Sequence, residues 1–134
     1  MSHLSNLLSN IQSGLIVRHH VVHVKRTKFN LEVLKLLEEQ GFLNGIFISE
    51  EKLNNVSVFL KYHDNKPVLK KLKIISLPSK RIYVNYNTIM KHLSRNGLFV
   101  ISTSKYGLVC SDDFLKKSEK LVNVGGELLF QIVF

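Results

Sequence analysis

The chain reads as an α+β protein made of two small lobes. Leucines at helical spacing open the chain and recur after Thr27, and the segments between them are short, β-branched and alternating. Gly, Pro and Asn punctuate the rest too often for long helices. The charge changes character near residue 67: residues 1–67 carry 8 Lys/Arg against 6 Asp/Glu, and residues 68–134 carry 11 against 4. Residues 1–67 are expected to form an N-terminal lobe running helix, strand, helix, strands. Residues 68–134 are expected to form a basic C-terminal lobe, mostly β with short helices, that binds RNA.

Leu4, Leu7, Leu8 and Ile11 follow the i, i+3, i+4, i+7 pattern and predict a helix over 3–13, with Gly14 as its stop. The Val, Ile and His content of 15–24 predicts a strand. Thr27 is a candidate N-cap for a second helix through Gln40, with Leu31, Val33, Leu34 and Leu37 as its apolar stripe and Gly41 in the C′ position. Strands are expected over 42–48 and 56–60, separated by a loop over 50–55. Tyr62 to Pro67 has turn chemistry. Residues 68–75 form a basic strand or linker that Pro78 breaks, and 80–84 a further short strand. Asn85 or Asn87 can cap a short helix through Ser94, with Ile89, Met90 and Leu93 inward and Gly97 ending it. Leu98 to Ile101 is a buried strand, and Ser102-Thr103-Ser104-Lys105 a polar loop after it. A return strand over 106–110, a short polar helix or turn over 112–120, and an apolar strand over 128–134 complete the chain.

Of 134 residues, 45% are hydrophobic, enough for a core or for two small ones. No apolar run approaches the roughly 20 residues that span a bilayer. No segment joins a basic face to a broad apolar one, so no membrane partner is expected. The formal net charge of +9 points to a polyanionic partner. Between Val68 and Lys105 stand Lys70, Lys71, Lys73, Lys80, Arg81, Lys91, Arg95 and Lys105 with no acidic residue. Cations so uncompensated repel one another unless an anion screens them, as a nucleic-acid backbone does. The chain has no alanine and carries 15 Lys to 4 Arg, the mark of an AT-biased gene. An organellar genome fits that bias, and so does a parasite or endosymbiont genome. The opening residues show no presequence pattern, as expected for an organelle-encoded protein.

Catalytic and metal constellations are weak. Cys110 stands alone without a local activating base. His19, His20 and His23 lack a nearby Cys, Asp or Glu to complete a tetrahedral site, so neither metal nor cofactor is expected. Asp112 and Asp113 suit a charged first helical turn. No phosphate loop, dinucleotide fingerprint or triad appears, and neither enzymatic activity nor a small-molecule substrate is expected. The hydroxyl run is different. Each hydroxyl of Ser102, Thr103 and Ser104 can donate one hydrogen bond and accept two, which suits base edges and ribose hydroxyls of an irregular RNA helix. Lys105 supplies a phosphate contact. Gly125 and Gly126 allow close backbone approach to a ligand or a tight turn, and Glu127 is the one acid expected to face RNA.

Several ordered motifs resemble the family of the eighth small-subunit ribosomal protein over nearly the whole chain. They are Leu7 to Gly14, Leu36 to Leu43, Leu60-Lys61-Tyr62, Ile75 to Tyr83, Gly97 to Lys105, and Val124 to Leu129. The resemblance implies two α/β lobes and a primary rRNA-binding protein that docks on a central-domain helix of small-subunit rRNA, beside neighbouring ribosomal proteins, and supports assembly and translation. It implies that Ser102, Thr103, Ser104, Gly125, Gly126 and Glu127 meet a distorted internal loop of that helix. It makes Lys80, Arg81, Tyr83 and Lys105 further contacts, with Lys25, Arg26 and Lys28 second-rank ones in the N-terminal lobe; the acid-free stretch adds Lys70, Lys71 and Lys73 as candidate phosphate contacts. Leu77 and Ser79 depart from the family's Arg-Pro-Gly pattern, so a phosphate contact is expected to be lost or to move to Lys80. Tyr106 is an insertion before Gly107, and 110–123 has drifted. The drift favours a mitochondrial ribosome over a plastid or bacterial one. The alternative is an RNA-binding regulator acting off the ribosome on messenger RNA.

Overall fold

Leu4, Leu7, Leu8, Ile11 and Leu15 lie on one buried face of the first helix, α1 (His3–Ile16). The structure, a computed structural model, describes residues 3–49, 51, 54–93, 97–115 and 123–134. It forms two compact units: Met1–Lys70 with Phe134, and Lys71–Val133.

In the first unit α1 is followed by β1 (Val21–Lys25), α2 (Lys28–Glu39), β2 (Leu43–Ile48) and β3 (Asn55–Leu60). The strands form an antiparallel sheet in the order β1-β3-β2. Val24, Val56, Val58 and Leu60 face the core, where Val33, Leu34 and Leu37 of α2 are fully buried. Thr27 caps α2 by accepting the Asn30 N–H (3.1 Å), and Gly41 takes a positive φ of 86°, as expected of the cap and the C′ residue. Tyr62–His63 (β4) and Lys66–Pro67 (β5) make a two-residue hairpin, with Asp64 and Asn65 both at positive φ.

Two expectations fail here. Gly14 does not stop α1, and no strand runs from Leu15. The helix continues to Ile16, and the chain turns at Arg18, a non-glycine residue at φ 59°. His19 N–H reaches the Gly14 carbonyl (2.9 Å) and Arg18 N–H the Leu15 carbonyl (3.3 Å), the two bonds of a Schellman end. Gly14 serves packing instead: a Cβ there would collide with Val22 and press on Leu60. Only Val21 onward is extended. The 50–55 loop expectation falls partly outside the described residues.

The second unit contains β6 (Lys71–Ile74), β7 (Tyr83–Val84), α3 (Tyr86–Thr88), a π-helical turn (Ile89–Leu93), β8 (Leu98–Thr103), β9 (Gly107–Cys110), α4 (Ser111–Leu115) and β10 (Gly126–Val133). Its sheet has the order β6-β10-β8-β9, with β7 also paired to β10. Ile89, Phe99, Ile101, Phe114 and Leu128 form the core, with Val84, Tyr86 and Val109 packed on it. Asn85 caps α3 through the Thr88 N–H (2.9 Å). Asp113 accepts the Cys110 N–H (3.3 Å), half of a capping box that starts α4. Ser111, fully buried, accepts the Phe99 N–H (3.0 Å). The expected strand over 80–84 is shorter, because Lys80 closes a turn. The tail of the helix expected over 112–120 lies outside the described residues.

Candidate nucleic-acid interface

The hydroxyl motif is not a loop throughout. Ser102 and Thr103 are the last residues of β8, and only Ser104-Lys105-Tyr106 form the turn to β9. Thr103 is 5% exposed. Its hydroxyl donates to the Gly107 carbonyl (2.9 Å) and accepts the Tyr106 N–H (3.0 Å). Those bonds use the hydroxyl's one proton and one of its two acceptor positions, so Thr103 holds the turn. Gly107, at φ 67°, completes a three-residue hairpin loop. Tyr106 thereby fits without breaking the hairpin, and its ring is exposed beside Ser104 and Lys105.

Gly125-Gly126-Glu127 meets this motif directly, since Glu127 pairs with Ser102 on β8 and with Tyr83 on β7. Directly opposed residues on neighbouring strands share a face, so Tyr83, Glu127 and Ser102 form one row across three strands. The glycines let backbone approach backbone. A Cβ on Gly126 would strike the Ser102 carbonyl oxygen. One on Gly125 would lie 2.6 Å from the Val84 carbonyl oxygen and 3.1 Å from Asn85 Cα. Glu127 gives one carboxylate oxygen to Arg81 (2.9 Å), with the Arg side chain 49% and the Glu side chain 18% exposed. Tyr83, 71% exposed, stands next to that pair.

Ser76 is the residue that sequence reasoning passed over as one letter of a motif. It is buried, and its hydroxyl donates to the Leu128 carbonyl (2.5 Å) and accepts the Ile82 N–H (3.1 Å). Leu128 N–H in turn donates to the Ile82 carbonyl (2.9 Å). This ties the segment carrying Arg81 and Tyr83 to β10. The signal was present: a lone Ser preceding an exposed Leu-Pro-Ser-Lys turn and following apolar residues. Leu77 and Lys80 exchange both backbone bonds at 3.0 Å, placing the Lys80 side chain on that turn, exposed.

The remaining cations are exposed but dispersed. Lys71 and Lys73 lie on β6 opposite Val133 and Gln131. At about 3.3 Å per residue that puts Lys71 roughly 20 Å along β10 from Glu127. Lys70, Lys25, Arg26 and Lys28 belong to the first unit. Neither Lys71, Lys73, Lys80 nor Lys105 has an ion-pair partner among the described residues.

The residues set aside at the sequence level have local tasks. Cys110 is buried, and burial pushes its thiol up to about 11, away from nucleophilic use. The His20 ring packs edge-on against Tyr62 at 5.7 Å, and His23 Nδ1 lies 3.2 Å from Ser57 Oγ. Among the described residues no group of three or more His, Cys, Asp or Glu could hold a metal ion. Nor is any described helix long and apolar enough to cross a membrane.

Residues 2–133 match the family of ribosomal protein S8. The small ribosomal subunit protein uS8m of Acanthamoeba castellanii is 33% identical over 134 residues, covering 98% of this chain and 99% of that one. The uS8c protein of Tupiella akineta is 33% identical over 131 residues, with 96% and 95% covered. The uS8 protein of Acholeplasma laidlawii is 32% identical over 127 residues, with 94% and 92% covered.

Proposed function

Because the chain belongs to the ribosomal protein S8 family, a structural and non-enzymatic component of the small ribosomal subunit, we propose that it is a primary rRNA-binding protein that docks on a central-domain helix and supports subunit assembly. The observation that carries this reading is the convergence of the two motifs: the Tyr83–Glu127–Ser102 row, the Arg81 cation on Glu127, and the Ser104-Lys105 turn at the end of the same strand. Such a row offers hydroxyls, a fixed guanidinium and exposed rings, the groups that read an irregular RNA helix by hydrogen bonding, phosphate contact and stacking.

In this reading residues 68–134 form the principal RNA lobe. Ser102 and Ser104 bond base edges or ribose hydroxyls, and Tyr83 and Tyr106 offer stacking surfaces. Lys80, Arg81 and Lys105 meet phosphates near the row. Thr103, Gly125 and Gly126 hold the surface in shape, and Glu127 orients Arg81. Lys70, Lys71 and Lys73, with Lys25, Arg26 and Lys28, contact more distant phosphates. The rest of the surface contacts neighbouring small-subunit proteins. The AT-biased composition and the drift of the motifs support a mitochondrial ribosome in this reading; identity does not choose, because mitochondrial, chloroplast and bacterial relatives stand at similar levels.

Binding of the full chain to a small-subunit rRNA fragment containing the central-domain helix tests the proposal. Lys71→Ala should flatten the salt dependence by about one unit and weaken all RNAs alike. Ser104→Ala should weaken the cognate fragment and spare an unrelated duplex. Equal affinity of wild type for both RNAs would refute the reading. Cosedimentation with mitochondrial small subunits at high salt is expected; a chain that stays in the supernatant would be a regulator acting off the ribosome.

A further inference from the structure

The first unit carries an aromatic surface of which the rRNA reading uses only the flanking cations Lys25, Arg26 and Lys28. On the face of its sheet away from α1 and α2, Phe47 is 57% and Phe59 38% exposed. Phe59 stands opposite Gly45, and Phe47 two residues along β2 on the same face. Nothing lies within 4 Å of where a Gly45 Cβ would be, so the space over that residue is open. The next row adds His23 and Ser57, in contact at 3.2 Å, and β1 ends on Lys25, exposed.

We infer that this face is a stacking platform for an unpaired RNA segment, a contact different in chemistry from the helix-reading row of the second unit. Two exposed rings on adjacent strands with a glycine between them present flat π surfaces, on which successive bases stack without sequence preference. Strands β1, β2 and β3 contain no Asp or Glu, and Lys25, Arg26 and Lys28 follow one another at the end of β1. Glu51, in the β2–β3 connection, is the described acid of that end. A backbone crossing the rings and leaving past Lys25 would meet cations matched to its phosphates. A protein partner would favour a continuous apolar core over rings set among Gly, Val, His, Ser and Lys.

This inference rests on the RNA-binding reading above, and its test separates the two. The full chain is mixed with a fluorescein-labelled oligouridylate of about twelve nucleotides, within the usual site sizes of single-strand binders, and separately with the rRNA fragment. Ultraviolet crosslinks of the oligouridylate to wild-type peptides bearing Phe47 or Phe59 are expected. Replacing both rings by alanine should weaken the single strand at least about tenfold, tyrosine at both positions should retain it, and the rRNA fragment should bind all three proteins alike. Crosslinks confined to other peptides, unchanged affinity of the alanine protein, or failure of tyrosine to retain binding would overturn the platform. So would an alanine protein that keeps the oligouridylate but loses small-subunit proteins in a pull-down. If wild type binds the rRNA fragment and not the oligouridylate, this inference alone fails. If it binds neither, the RNA-binding reading fails with it.

Discussion

The two units each put helices on one face of an antiparallel sheet, yet their sheets handle glycine and polarity in opposite ways. In the second unit the outward row is charged and hydrogen-bonded, and its glycines are required: β10 approaches β8 and β7 so closely at Gly126 and Gly125 that no side chain fits. In the first unit the outward face is aromatic, and Gly45 has open space around it. The contrast teaches that a strand glycine is explained by what its absent Cβ would meet. Gly126→Ala should therefore have the largest effect, about 3 kcal/mol or more of stability, because the obstacle is backbone and cannot rotate away. Gly45→Ala should change stability by less than about 1 kcal/mol, with gain the expected sign, because it narrows the unfolded ensemble without a clash. Urea titration of both proteins checks the pair, and equal losses would dissolve the contrast.

Neighbouring hydroxyls within the second unit sharpen the same point. Thr103→Val removes the group that bonds both Gly107 and Tyr106, leaving a turn N–H unpaired; about 2 kcal/mol of stability should go, visible in the thermal midpoint without RNA. Ser104→Ala, on the exposed turn, should leave the midpoint within about 0.5 kcal/mol of wild type while lowering RNA affinity. A Thr103→Val protein as stable as wild type would return Thr103 to the role of a direct reader.

What could be read from the chain alone follows from how local each signal is. The α2 helix was legible at both ends because its signals are neighbours in sequence: Thr27 bonds Asn30, and Gly41 ends the helix that precedes it. Gly14 was misread because its task depends on Val22 and Leu60, which only folding brings near. The pairing of hydroxyl and glycine motifs came from their resemblance to a family. Their register, Ser102 against Glu127, could not come from local pattern, because polar residues at a strand end look like a loop. Ser76 was marked only as a lone polar residue before a turn; that its hydroxyl reaches the Leu128 carbonyl, 52 residues on, was not legible.

Alkaline pH probes the second unit's interior, where burial raises Cys110 from an ordinary 9.0 to about 11. A thiol ionises first in the unfolded chain, so the unfolded state binds fewer protons above pH 9 and stability falls as pH rises. Below about pH 9 the contribution is fully present; it is lost as pH climbs through about 11. The loss should be on the order of 2 kcal/mol and absent in Cys110→Ala, measured as the difference between the two proteins' urea midpoints across that window. Parallel alkaline losses would mean that Cys110 is not the group responsible.

The smallest expected effect decides how the charged row works. Arg81 and Glu127 are partly exposed, so a double-mutant cycle with Arg81→Gln and Glu127→Gln should give a stability coupling below about 1 kcal/mol. The same cycle read in RNA affinity should look different. If the guanidinium meets phosphate and the carboxylate only orients it, Arg81→Gln should cost about tenfold. Glu127→Gln should then cost less, and nothing further when Arg81 is already replaced. An equal loss from Glu127→Gln in both backgrounds would mean that the carboxylate itself accepts hydrogen bonds from RNA. The row would then read its partner with an acid as well as a cation, and the aromatic face of the first unit would differ from it still more sharply.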